Sequence, residues 1–167
     1  MLALLALAAF AGLLLYAAFS DITRLIIPNW VSIALTAIFP LAALAGGAAP
    51  AAIAMNLAVG FAVLAIGFLL FQFNIIGGGD AKLLAAAAVW TGLAALPQLI
   101  VWTALAGGLL AAALLAARQF MNAAAYPAAI THLLEKQNGI PYGVAIMAGG
   151  LMTIPSLPYL ASALTLP

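Results

Sequence analysis

Cysteine is absent from this chain of 167 residues, and charge is nearly absent: four basic residues, three acidic ones and a single histidine. Without cysteine there is neither a disulfide nor a thiolate-held zinc, so stability must come from packing. With 4% charged and 69% hydrophobic residues, the chain cannot fold as a water-soluble domain without a very large exposed apolar patch. A formal net charge of +1 gives no electrostatic footprint for nucleic acid. No HExxH helix is present, no apolar stretch alternates as a porin strand does, and the amino-terminal run lacks the basic n-region of a cleavable signal peptide. That run is therefore expected to be a retained helix.

The apolar runs are about 15 to 21 residues long, the length with which a helix crosses roughly 30 Å of hydrocarbon. The expected fold is all-α and polytopic, a single integral-membrane domain in contact with the lipid bilayer, with six spans over 1–19, 30–44, 51–71, 82–96, 99–117 and 143–160. Ser20, Asp21, Thr23 and Arg24 break the first run, and Pro28-Asn29 closes the turn before Trp30, whose ring suits a membrane interface. Pro97 is the expected end of the fourth span. That span covers only about 22 Å, which draws Asp80 toward the hydrocarbon edge. Gly107-Gly108 reads as a close helix contact. The interval 118–140 carries Arg118, His132, Glu135 and Lys136, and its middle, 121–134, is apolar enough to lie along the interface.

With the amino terminus outside the cytoplasm, the loops after the first, third and fifth spans hold Arg24, Lys82, Arg118 and Lys136, every basic residue in the chain. All three acids, Asp21, Asp80 and Glu135, fall on that side too. Chemistry that uses charge is expected at the cytoplasmic face.

Asp21 ends one span, and Asp80 opens another after Gly77-Gly78-Gly79. Two carboxylates brought within a few ångströms do not both ionise easily, so one acts as base and its neighbour as acid. Such a pair can activate water against a peptide bond. The glycines let backbone approach closely and offer a hinge. Each residue also has a plainer reading. Asp80 could cap its helix, Asp21 could pair with Arg24 one turn on, the glycines could be a flexible loop, and Lys82 could be a snorkelling anchor with a secondary effect on Asp80. Two further functions stay open: a divalent-cation carrier or metal-dependent enzyme using Asp21, Asp80, Glu135 and His132, and a non-catalytic membrane scaffold.

Gly77-Gly78-Gly79-Asp80 resembles the GxGD motif of intramembrane aspartic proteases. Gly79-Asp80-Ala81-Lys82-Leu83-Leu84, with Asp21 ahead of Ile27-Pro28-Asn29 and with Pro141-Tyr142-Gly143-Val144-Ala145, is similar to the type IV prepilin peptidase family, in particular its short branch serving tight-adherence (Flp) pili. The resemblance implies a six-helix enzyme of the bacterial inner membrane that removes a short basic leader from prepilins at the cytoplasmic face. It implies catalysis by Asp21 and Asp80, motif roles for Gly77 and Gly79, loop or substrate contact by Gly78 and Lys82, and no metal or other cofactor. Longer members also methylate the new amino terminus with a cytoplasmic domain between early helices. The short Asp21–Trp30 interval implies peptidase activity alone.

Overall fold

A computed structural model describes residues 2–120, 131, 133–135 and 138–157. Five α-helices account for most of them: α1 (Leu2–Arg24), α2 (Asn29–Ala45), α3 (Pro50–Gln72), α4 (Gly78–Phe120) and α5 (Tyr142–Met152), followed by a 3-10 turn (Ile154–Ser156). Among the described residues, three stretches are long and apolar enough to cross a membrane, namely Leu4–Arg24, Pro50–Gln72 and Gly78–Phe120, while α2 and α5 are shorter apolar helices. His132, Lys136 and nearly all of the expected interfacial segment 121–134 lie outside the described residues.

Two expected boundaries are corrected. The polar cluster after residue 19 does not end the first helix, because its hydroxyls bond locally: Thr23 Oγ1 donates to the Phe19 carbonyl at 2.8 Å and Ser20 Oγ to that of Ile26 at 2.8 Å. The helix stops only where Leu25 turns into the left-handed region at φ 52°, its N–H still bonded to the Asp21 carbonyl. The second correction concerns α4, which does not break at Pro97. It breaks at Gly92, with φ 58° and ψ −173°, a backbone conformation reserved for glycine. Pro97 is accommodated just past that break, inside the second arm of the helix.

Contacts along the helices fix their directions. Gly143 meets Asp21 and Gly150 meets Leu14, so α5 runs antiparallel to α1. Lys82 reaches Asn29 and Trp90 reaches Leu35, so the first arm of α4 (78–91) runs parallel to α2. Gly67 lies against Ala81 and Gly60 against the backbone of Ala85, which makes α3 antiparallel to that arm. The second arm (93–120) packs antiparallel to α5, with Gly107 against Tyr142 and Ala145, and Gly149 against the carbonyl of Leu99. Gly108, by contrast, faces open space. The chain therefore reverses direction at Gly92, and the six helical segments among the described residues alternate. One end of the bundle gathers the close of α1, the start of α4 and the start of α5.

The core is aromatic at its centre. Trp90 is buried between Phe10, with ring centroids 4.8 Å apart, and Phe39, at 5.9 Å, and its indole N–H donates to the Leu35 carbonyl at 2.9 Å. Leu14, Val31, Leu83, Leu99 and Ile146 complete the buried cluster.

Candidate active site

Asp21 occupies the last turn of α1 and is 5% exposed. Its Oδ2 accepts the backbone N–H of Gly143 at 2.7 Å, a bond spanning 122 positions of sequence, rather than pairing with the nearby Arg24. Gly143 must be glycine for this approach, since a Cβ there would stand 2.9 Å from Asp21 Oδ2 and 3.1 Å from Ile27 Cδ1. The start of α5 is set in turn by Arg118. Its Nε donates to the Leu133 carbonyl at 2.8 Å, and its terminal nitrogen to those of Asn138 and Gly139 at 3.0 Å each, tying the close of α4 to the turn ahead of Pro141.

Asp80 is the third residue of α4. The expected glycine loop is thus only partly a loop, because Gly78 and Gly79 already lie in the helix. Asp80 turns back on the Gly77 N–H, the side-chain half of a capping box. A Cβ on Gly77 would stand 2.6 Å from Asp80 Oδ2. A Cβ on Gly79 would stand 3.2 Å from Ile27 Cβ, so this glycine lets the start of α4 approach the α1–α2 connection closely. Gly78 meets only the ring of Phe71, at ordinary contact distance. Ile27 therefore packs under both Gly79 and Gly143 and draws their helices to the end of α1.

The Asp21 charge acts on Asp80. Two carboxylates from separate helices share one partly desolvated end of the bundle, each with a backbone N–H for partner and lone pairs to spare. Lys82, read as a snorkelling anchor, donates to Asn29 Oδ1 at 2.9 Å, which ties the start of α4 to that of α2. Gly143, Ile27 and Arg118 were not singled out as positioning residues from the sequence, whereas Pro28-Asn29 could be read there as fixing the direction of Asp21. The Ile27-Pro28-Asn29 and Pro141-Tyr142-Gly143 stretches that carried the family resemblance pointed to their neighbourhood. Of the donors named for a cation site, His132 is outside the described residues, and no group of three His, Cys, Asp or Glu comes together among those described.

Fold and site together define a helical membrane protein with paired carboxylates at one end of its bundle. Residues 8–112 match the type IV leader peptidase family, and the chain belongs to that family of membrane proteases. The matched region contains Asp21, Asp80 and all three glycines of the motif and stops short of Gly143. No curated protein and no solved structure gives a significant match.

Proposed function

We propose that the protein is an aspartic endopeptidase that removes the short basic leader from type IV, Flp-like prepilins at the cytoplasmic face of the bacterial inner membrane. Six spans with the amino terminus outside fit the alternation of the helical segments and the gathering of Arg24, Lys82 and Arg118 toward one end. The observation that carries the reading is geometric: Asp21, bonded to Gly143 at the close of α1, and Asp80, beside Gly79 at the start of α4, are gathered around Ile27 at the same end of the bundle.

In this mechanism the ionised member of the pair takes a proton from water as its oxygen attacks the scissile carbonyl. The protonated member donates to the carbonyl oxygen, and the proton gained from water passes to the leaving amine as the bond breaks. The N–H groups of Gly143 and Gly77 orient the two carboxylates and leave their remaining lone pairs for water and substrate. An extended strand of substrate at the cut would be reached most easily beside a glycine, whose helix is cheapest to unwind. With no further domain between α1 and α2, the reading is peptidase activity without amino-terminal methylation.

The capping contact between Asp80 and Gly77 also favours a structural reading, and one substitution separates the two. Asp80→Asn keeps an acceptor oxygen for the Gly77 N–H and removes the acid. Incubated in proteoliposomes with an Flp-like precursor, wild type should release a product shortened by the leader, read by mass, and Asp80→Asn should release none. Equal cleavage by a folded Asp80→Asn would leave Asp80 as a cap alone.

A further inference from the structure

Two carboxylates that act on one water must keep a fixed separation. Among the described residues no hydrogen bond joins Asp21 to Asp80: the first is bonded to the Gly143 N–H at the start of α5, the second to the Gly77 N–H just ahead of α4. One apolar side chain lies against both helix starts. A Cβ on Gly79 would stand 3.2 Å from Ile27 Cβ and 3.7 Å from its Cγ1, whereas a Cβ on Gly143 would stand 3.1 Å from Ile27 Cδ1. The near end of the Ile27 side chain therefore rests on α4 and its far end on α5.

Ile27 is itself held in place. It is buried, and the connection 25–28 that carries it is bonded on both sides. The Leu25 N–H donates to the Asp21 carbonyl at 2.8 Å, and the Ile26 carbonyl accepts from Ser20 Oγ at 2.8 Å. Pro28 then opens α2 at φ −64° and ψ 135°, and a proline there disfavours helical backbone at Ile27. Close packing transmits a change of even one methylene, so the length of this pinned side chain is felt by both helices.

We infer from this geometry that Ile27 is a positioning residue, its side chain being the spacer that sets the separation of the Asp21 and Asp80 carboxylates. The inference deepens the leader-peptidase reading and rests on it for the kinetic consequence alone, since the spacing exists whether or not a precursor is cut. The β-branch bears on Gly79, hence on the start of α4 and Asp80. The terminal methyl bears on Gly143, hence on the N–H that orients Asp21. Shortening the side chain lets the two helix starts close on each other and narrows the gap that water and the scissile carbonyl must share.

The test reads separation and catalysis on the same substitutions in the full chain. Because the chain has no cysteine, Asp21→Cys with Asp80→Cys gives a single thiol pair. Bis-methanethiosulfonate linkers of increasing length, scored by intact mass, then report the shortest span that joins it. Ile27→Val removes the methyl that meets Gly143, and Ile27→Ala removes everything beyond Cβ; each should let a shorter linker join the pair. With both carboxylates present, Ile27→Val should lower kcat for an Flp-like precursor by about tenfold and leave KM within about twofold, as a displacement of roughly half an ångström would do. The control is Leu35→Ala, at a fully buried side chain on α2. It should lower the melting temperature at least as much as Ile27→Val and change neither the shortest linker nor kcat per folded molecule. An unchanged or longer shortest linker in both Ile27 variants, an unaltered kcat in Ile27→Val of an active chain, or an equal change in Leu35→Ala overturns the inference. A chain that cuts the precursor while the linker is indifferent to position 27 refutes the spacer and leaves leader cleavage standing. A chain that cuts nothing while the linker shortens refutes leader cleavage and keeps the spacer.

Discussion

Among the buried polar groups on the α4 helix, those at two places are treated in opposite ways. At Gly92 the backbone turns through a glycine-only conformation, and everything polar nearby is neutral and paired. Asn56 on α3 donates from Nδ2 to the Val89 carbonyl at 3.0 Å, and Thr91 Oγ1 donates to that of Ala88 at 3.2 Å. At the Gly77 end, two acids, Asp21 and Asp80, are brought to one partly desolvated end of the bundle, each with a backbone N–H, of Gly143 and Gly77, for partner. A polar group kept only for shape is best neutral and satisfied, since low dielectric penalises anything less. Two under-satisfied carboxylates at one site are a poor way to hold helices together and a good way to hold water and a proton.

The comparison can be broken from either side. At the carboxylate end, Asp21→Asn or Asp80→Asn should cut the rate of precursor cleavage by about 10²–10⁴-fold with the melting temperature in detergent nearly unchanged. A rate loss that merely tracked lost folding would erase the distinction. Gly143→Ala pushes a methyl to within 2.9 Å of Asp21 Oδ2, and a misplaced carboxylate should lower the rate by roughly 10²-fold. That loss should appear in kcat more than in KM.

At the Gly92 end the expected effects are on stability. Gly92→Ala puts a side chain at φ 58° with its Cβ 2.6 Å from Asn56 Oδ1. It should destabilise by about 1–3 kcal/mol, read by thermal or denaturant unfolding, with the pH profile of the surviving enzyme unaltered. Asn56→Ala leaves the Val89 carbonyl buried without its donor and should cost about 1–3 kcal/mol. A shift in the pH profile from either variant would mean that the hinge communicates with the site. The smallest effect belongs to Lys82→Gln, which weakens one exposed contact to Asn29 and should change cleavage by less than about fivefold.

What was legible in the sequence follows the same division. The helix bounds of α2 and α3 fall within a residue of the apolar runs, because those ends are marked locally by Pro28, Gly46 and Pro50. Gly77-Gly78-Gly79-Asp80 stood out as a candidate site because an acid after three glycines is conspicuous in a chain with so little charge, and the choice between a cap and an acid rested on Asp21 and the flanking family resemblance. Gly92 was missed because Pro97 is the louder local signal, and the role of Gly92 depends on Asn56, contributed from another helix. The end of α1 was misplaced because Ser20 and Thr23 look like breakers until their hydroxyls are seen bonded to nearby carbonyls. The Gly143 contact to Asp21 was invisible for a similar reason: no local pattern reports a bond spanning 122 positions.

The most direct test of the central claim, that Asp21 and Asp80 act as one unit, is a cycle of cleavage rates for wild type, Asp21→Asn, Asp80→Asn and the double variant on one precursor, each checked for folding. A pair working together predicts that either single substitution removes nearly all activity and that the double variant is no worse than the singles. Two modest losses that multiply in the double variant, or a folded single variant that still cuts at the wild-type rate, would contradict it.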